Sequence, residues 1–482
     1  MGDCNVMSII EAITSRQMNA IDLNAAYLGI SRLELMENAG RVIASTVRER
    51  LTQGNVTIFA GMGNNGGDAL VAARYLGGFN VHVVLLGREI KSEETKMNWD
   101  KLQNTGIALR ETRSPDDIDD ACIVDSDVII DAIFGTGVHG KIRALESTAI
   151  ELINASSAFV ISVDVPSGMD PDTGMGEKRV YPDVIITFHK MKKGLLDAPN
   201  VKVVDIGIPK DAELFAGPGD LRLLKTRDAK SHKGDNGRIL VIGGGVYSGA
   251  PALAALAALR AGADIVTVAA PLSVADIIAS FSPNLIVSPL TSDVLVPEDV
   301  PILKELILKH DVVVIGTGLG KSELTDRAIR AIIPLCKKVV VDADALSALE
   351  FPFEGGIITP HAGEFKSLCK AENLRGRKKS ELVKNFAQEK KVVVLLKGKT
   401  DLISNGISLK MNRTGNAGMT VGGTGDVLAG IVGTIYAKNN ALEAAVAGAF
   451  INGRAGDIAF EKYGFGLLAT DVIENIPKAM GD

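Results

Sequence analysis

The sequence predicts an α/β protein of two domains, each built on a largely parallel sheet with helices on both faces. Three observations predict it. Apolar runs rich in β-branched residues alternate with helical stretches along the whole chain. Two glycine-rich segments, far apart in sequence, each lie directly ahead of an apolar helix. At 482 residues the chain is too long for one hydrophobic core, and a 46% share of hydrophobic residues can fill two or three.

Taken in order, residues from Met7 to Arg50 read as two helices separated near Gly29. Strands are expected at Val56–Ala60, Val81–Leu86, Val128–Phe134, Phe159–Val163, Val184–Phe188 and Val201–Ile206. The pattern breaks from Ile208 to Arg227, where Gly217-Pro218-Gly219 and scattered charges intervene. A first domain over 1–208, a linker over 209–227 and a second domain over 228–482 are therefore expected. The second opens with the strand Arg238–Ile242, then Gly243-Gly244-Gly245 and an Ala-rich helix from about Ala250 to Ala261. Further strands are expected at Ile265–Ala269, Val312–Ile315, Val339–Val341, Ile357–Thr359 and Val392–Leu396. No internal repeat relates the halves.

Composition narrows the function classes. A net charge of −6 argues against nucleic acid or an anionic membrane surface as the main partner. No apolar run approaches the ~20 residues that span a bilayer. The segment Met1 to Ala12 carries acidic residues and no basic stretch, so it does not read as a signal peptide. Cys4, Cys122, Cys336 and Cys369 are isolated singles, which indicates neither a zinc site nor a disulfide framework. A cytoplasmic protein is expected.

The most informative stretch is Asn416-Ala417-Gly418-Met419-Thr420-Val421-Gly422-Gly423-Thr424-Gly425-Asp426, ahead of the apolar helix Val427 to Ala437. Glycines let backbone N–H groups close around an anion, and the helix N-terminus adds its positive end. Asp426 would sit in the first turn, beside a bound phosphate and able to take a proton from an attacking hydroxyl. A tight turn or helix cap uses the same glycines, but the adjoining carboxylate favours phosphoryl chemistry. The second constellation follows the strand Val56–Ala60: Gly61-Met62-Gly63-Asn64-Asn65-Gly66-Gly67-Asp68, then a helix Ala69 to Leu76. Strand, glycine loop and helix present N–H groups to a dinucleotide at a sheet edge. The spacing is not the usual dinucleotide fingerprint, and the amides and carboxylate suggest oxygen ligands for a cation or polar contacts. Two such loops point to two active sites.

Together these residues resemble the bifunctional NAD(P)H-hydrate repair enzymes, in which an NAD(P)HX epimerase domain precedes an ADP-dependent NAD(P)HX dehydratase domain. The resemblance covers nearly the whole chain. In the first half it rests on Asn64 to Asp68, Asp131-Ala132-Ile133-Phe134-Gly135-Thr136-Gly137 and Asp164-Val165-Pro166-Ser167-Gly168. In the second it rests on Ser231-His232-Lys233-Gly234, Tyr247-Ser248-Gly249-Ala250, Thr359-Pro360-His361-Ala362-Gly363-Glu364-Phe365, Lys397-Gly398-Lys399 and Gly422 to Asp426. Ala362 stands where the family usually has proline, and Thr317 ahead of Gly318 is a second small departure.

The resemblance implies a Rossmann-like three-layer sandwich followed by a ribokinase-like α/β domain. It assigns Asn64, Asn65, Gly66, Gly67, Asp68, Gly135, Thr136, Gly137, Val138, His139, Gly140, Lys141 and Asp164 to the hydrated dinucleotide. It assigns Asn65, Asp131 and Ser167 to potassium, with Asp164 a candidate catalytic group. In the second domain it gives Gly318, His361 and Asp426 to NADHX or NADPHX. ADP, with magnesium, is given to Lys397, Gly398, Lys399, Thr400, Asp401 and the run Asn416, Ala417, Gly418, Met419, Thr420, Val421, Gly422, Gly423, Thr424, Gly425. Asp426 is the expected base. A homo-oligomer is expected as well. The bland readings stay open beside these: Asp131 as a strand-end turn residue, Ser167 as a cap, and Lys397 to Asp401 as a hairpin with solvated lysines. A ribokinase-like vitamin or small-molecule kinase fused to a dinucleotide-binding module shares Asp426 and its glycines, and a non-catalytic nucleotide sensor is the third alternative.

Overall fold

The computed structural model describes residues 12–123, 125–137, 140–370 and 377–481. The chain divides after Pro209 into two compact units. The part of the first expected helix before residue 12 lies outside the described residues.

The first unit opens with α1 (Ser15–Tyr27) and α2 (Arg32–Arg50), started by the hydroxyls of Thr14 and Ser31, which accept the amides of Gln17 and Glu34. Then come β1 (Asn55–Ala60), α3 (Asn64–Tyr75), β2 (Asn80–Leu86), α4 (Glu93–Gln103), β3 (Ala108–Thr112), β4 (Val128–Ala132), α5 (Ala144–Ala155), β5 (Phe159–Val163), β6 (Val184–Phe188) and β7 (Val201–Val204). The strands form one parallel sheet, ordered β3-β2-β1-β4-β5-β6-β7. Val56 to Ala60 and Val128 to Ala132 are buried throughout, as strands covered on both faces must be. The order reverses between β1 and β4, and the crevice beyond their carboxyl ends is where an open α/β sheet takes its ligands.

The segment Asn64 to Asp68, read from sequence as a loop, is instead the first turn of α3. Gly66 explains why this helix begins so early. A Cβ there would lie 1.9 Å from the Gly61 carbonyl oxygen, so only glycine lets the helix press on the turn leaving β1.

The second unit begins with α6 (Lys210–Leu214) and α7 (Pro218–Arg222), where the sequence suggested a linker. These residues are built into the unit. The Ala216 amide donates to the Met411 carbonyl at 2.7 Å, Lys410 Nζ lies 2.8 Å from Asp220 Oδ1, and Ala216, Leu221 and Leu224 join the core. The Gly-Pro-Gly punctuation marks a Pro-started helix, not a flexible connection. A fragment starting at Lys210 is therefore expected to resist urea better than one starting at Asp228, as the midpoint of denaturation would report.

Next are β8 (Arg238–Ile242), α8 (Gly249–Arg260), β9 (Ile265–Ala270), α9 (Leu272–Ser280), β10 (Ile286–Pro289), α10 (Val300–Lys309), β11 (Val312–Ile315), α11 (Glu323–Ile332), β12 (Val339–Val341), β13 (Gly356–Ile358), α12 (Ala362–Leu368), α13 (Arg377–Lys390) and β14 (Val393–Leu396). The chain closes with β15 (Asp401–Ser404), β16 (Leu409–Asn412), α14 (Thr424–Lys438), α15 (Ala441–Tyr463) and α16 (Ala469–Gly481). The sheet is ordered β10-β9-β8-β11-β12-β13-β14-β15-β16, parallel as far as β14 and antiparallel beyond it. Its strand order reverses between β8 and β11.

Helix α14 packs against α8 through Gly430, where a Cβ would lie 2.0 Å from the Ala254 carbonyl oxygen. Gly430→Ala should cost on the order of 1–3 kcal/mol through overpacking, read as a lower thermal midpoint of this unit. No helix among the described residues is long and apolar enough to cross a membrane.

Candidate active sites

The first site is a cavity of about 1020 Å³ in the first unit. Asn64, Asn65 and Asp68 reach it from the first turn of α3, Gly135, Thr136 and Gly137 from the turn after β4, and Asp164 from the end of β5. Gly66 and Gly67 do not line it. They are packed inside, and Cβ atoms there would strike Gly61 and Thr95. Gly140 and Lys141 are exposed and outside the lining, while Val138 and His139 lie outside the described residues.

Asn65, Asp131 and Ser167 meet around the backbone of Phe134. Asn65 Nδ2 donates to the carbonyls of Phe134 at 2.8 Å and Val163 at 3.1 Å. Ser167 Oγ accepts the Phe134 amide at 3.0 Å, and the Ser167 amide donates to Asp131 Oδ2 at 2.9 Å. Ser162 Oγ donates to the same oxygen at 2.7 Å. Burial pushes the Asp131 carboxyl up, while these hydrogen bonds pull it down. Because both Asn65 donor contacts are to carbonyls, its Oδ1 faces inward, buried and without a partner. An orphaned amide oxygen near a buried carboxylate and a serine hydroxyl is an oxygen set that suits a cation.

Two further groups complete this cavity, and both escaped the sequence. Asp22 lies mid-helix in α1, and Lys192 belongs to Lys190-Met191-Lys192-Lys193, which reads as a solvated basic run. Lys192 is instead 1% exposed, with Nζ 2.6 Å from Asp164 Oδ1, 3.0 Å from Thr187 Oγ1 and 2.8 Å from the Phe188 carbonyl. Its backbone is strapped to the start of the chain: the Ile13 amide donates to Met191, and the Lys193 amide to Ile13. Asp164 adopts a positive φ of 65°, a strained conformation of the kind found at functional sites. Burial, then the nearby Asp164 charge, raise the Asp22 carboxyl to about 7, against the pull of Lys192 and Arg32. Asp68 is pushed well above the carboxylate range by burial, Asp164 and Asp22.

The second site lies at the carboxyl end of the second sheet. Asp342 follows β12, His361 follows β13, Lys397 follows β14, and Asp426 stands in the first turn of α14. Lys397 Nζ is 2.7 Å from Asp342 Oδ1, which also accepts Thr359 Oγ1 at 2.8 Å. A Cβ on Gly425 would lie 3.4 Å from Lys397 Nζ, so this ammonium abuts the start of α14. Burial raises the Asp426 carboxyl to about 7, helped by Asp342 and opposed by Lys397. The N–H groups that head α14 have no partner within the helix, which leaves an anion-binding end.

Other expected residues carry structural duties. His361 Nδ1 accepts the amides of Gly363 at 3.0 Å and Glu364 at 3.2 Å, capping α12, and its ring stays largely exposed. Lys397 to Thr400 do form the turn of a β14–β15 hairpin, but Lys397 is not solvated. Asp401 closes that turn, accepting the Gly398 amide at 2.9 Å and Asn412 Nδ2 at 3.0 Å. Lys399 is exposed. Asn416 caps a short turn over Ala417–Thr420 through the Gly418 amide at 2.9 Å, so this part of the run is a folded turn, and Gly422 to Gly425 lead from it into α14. Gly318 is buried after β11, where its carbonyl receives the Tyr247 amide at 3.4 Å.

Comparison with known proteins agrees with two activities in one chain. The profile of the NAD(P)H-hydrate dehydratase family matches residues 239–478, and that of the YjeF-related protein N-terminus matches residues 32–194. The bifunctional NAD(P)H-hydrate repair enzyme of Archaeoglobus fulgidus is 45% identical over 98% of this chain and 99% of its own. Its counterpart in Methanothermobacter thermautotrophicus is also 45% identical, over 96% of this chain and 94% of its own. Among solved structures, a hypothetical protein from Streptococcus mutans covers 55% of this chain and 98% of its own, with a TM-score of 0.50 and 25% identity. With both profiles matched in order and full-length relatives at this identity, the chain belongs to the family of bifunctional NAD(P)H-hydrate repair enzymes.

Proposed function

We propose that the first unit interconverts the R and S epimers of NADHX and NADPHX, and that the second dehydrates the S form with ADP, giving AMP and phosphate. These substrates are nicotinamide dinucleotides with water added across a ring double bond, leaving a hydroxyl at C6. The observation that carries the reading is Asp426 at the anion-binding start of α14, beside the Lys397–Asp342 pair.

Hydroxide leaves poorly, and a phosphoryl group turns the C6 oxygen into a good leaving group. Asp426 takes the proton of the C6 hydroxyl as its oxygen attacks the β-phosphorus of ADP. The Gly422 to Gly425 N–H groups and Lys397 offset charge on the transferred group. Magnesium is proposed to arrive on the ADP phosphates; among the described residues no group of three His, Cys, Asp or Glu gathers to hold a metal. In the first unit, Asn65 through its orphaned Oδ1, Asp131 and Ser167 would hold potassium. That ion would supply positive charge next to the substrate and relieve the buried Asp131.

A base must be ionised, so dehydration is expected to rise with pH through about 7 as Asp426 loses its proton, and to fall below it. The rate of S-NADHX consumption across pH checks this. The reading as a whole is tested by supplying an R/S mixture of NADHX with ADP or ATP in turn and following NADH absorbance. Appearance of NADH with AMP and phosphate is expected. A stable phosphorylated product without NADH would favour a kinase.

A further inference from the structure

The first cavity is lined by five carboxylates, Asp22, Asp68, Glu89, Glu146 and Asp164, and by one fully buried ammonium, Lys192. Glu146 is paired with Arg143, and Asp22, Asp68 and Asp164 are coupled to one another. Lys192 is taken by Asp164 at 2.6 Å, so its ammonium is already engaged and Asp22 and Asp68 have no such direct partner in it. Arg32 is the further cation acting on Asp22, Asp164 is the anion acting on it, and Asp68 is a carboxyl coupled to both. Asp22 comes from α1, which precedes the matched span 32–194 yet reaches the cavity. Its placement is built. Ser15 donates through its amide to Asp172 Oδ1 at 2.6 Å and through its hydroxyl to Oδ2 at 3.0 Å, and Ile13 pairs with Lys192 itself. The helix carrying one carboxylate is thus pinned to the residue that pairs with another.

We infer that Asp22 is a further catalytic residue of the epimerisation, the acid that protonates the departing C6 hydroxyl, while Asp164 acts as the base for the returning water. This rests on the first unit being the epimerase. Carbon C6 carries both the hydroxyl and the ring nitrogen N1. The C6–O bond breaks with its electron pair going to oxygen, the Asp22 proton makes it water, and the N1 lone pair closes a planar iminium. Water then adds to the other face, its oxygen forming the new C6–O bond and its proton passing to Asp164. No oxidant or reductant is needed. In the reverse direction the two roles exchange, and solvent returns the proton between turnovers. Asp68 is raised as well, by burial and by the charges of Asp164 and Asp22, and lies in the first turn of α3 in the same lining. Asp22, near 7, is the group poised to give up its proton.

The test measures R/S interconversion chromatographically on the full chain, in wild type, Asp22→Asn and Asp22→Glu, across pH, with dehydration of pure S-NADHX as a control. Wild-type epimerisation should slow as pH rises through about 7. Asp22→Asn should lose roughly a hundredfold in rate and lose that pH limb, Asp22→Glu should recover part of both, and dehydration should be unchanged. An Asp22→Asn variant with wild-type rate and pH profile overturns the acid role while leaving the epimerase reading intact. A wild-type chain that interconverts nothing overturns the epimerase reading and this proposal with it. Labelled water gives a test that needs no variant: oxygen from solvent should enter C6 once per epimerisation, and retention of the original oxygen overturns C–O cleavage.

Discussion

Asp426→Asn is expected to lower dehydration of S-NADHX by about a hundredfold or more while ADP still binds. The amide keeps the side chain's shape in the first turn of α14 and leaves the N–H groups of Gly422 to Gly425 in place. It removes only the proton acceptor. Stability separates this from damage to the fold. The folded carboxyl sits near 7, above its ordinary value of 3.8, so its contribution is present at low pH and is lost as pH rises through about 7. Above that pH an ionised Asp426 is a burden on the native state, and the neutral amide should be at least as stable. A variant that melts no earlier, binds ADP in calorimetry and turns over slowly is the expected outcome. Near-normal turnover would overturn the assignment.

The second large effect is on the other unit. Asp131→Ala is expected to abolish most epimerisation and to make the remainder insensitive to added potassium, with dehydration of S-NADHX intact. Alanine removes the one charged group of the proposed ion site, leaving only the neutral oxygens of Asn65 and Ser167. It also strips the Ser162 hydroxyl and the Ser167 amide of their shared acceptor, at about 1–3 kcal/mol for each buried group left unpaired. Asp131→Asn keeps one oxygen for those donors and removes the charge alone, so it tells the ion from the fold. Loss of potassium dependence in both variants supports the ion site. Full epimerase activity in Asp131→Ala, with its potassium response unchanged, would sink it. Loss of dehydration as well would indicate misfolding.

Much of the architecture was legible because parallel strands buried on both faces leave unbroken apolar runs, such as Val128 to Ala132 and Val312 to Ile315. The edge strand at Val201–Val204 was legible too, but strands with mixed polarity were not. Ala108–Thr112 and Ile286–Pro289 are half exposed, and the β15–β16 hairpin is short and mixed in polarity. Gly-Pro-Gly at residues 217–219 mimicked a linker because a Pro-started helix and a loop begin with the same letters. In the sites, Asp426 and the Asn65, Asp131 and Ser167 set stood out through their neighbours in sequence. Asp22 and Lys192 did not, since a helical aspartate and a lysine in a basic run acquire their chemistry only from what the fold packs around them.

The strap between Ile13 and Met191 to Lys193 also sets an order in time. A ribosome releases the α1 segment first, yet that helix cannot seat until some 180 residues more have emerged, since its backbone partners do not exist before then. Contacts that close so long a stretch of chain are slow to form compared with those between neighbours. The wall of the cavity that carries Asp22 is consequently among the last parts of its unit to be completed, and a nascent chain with six strands made still lacks it.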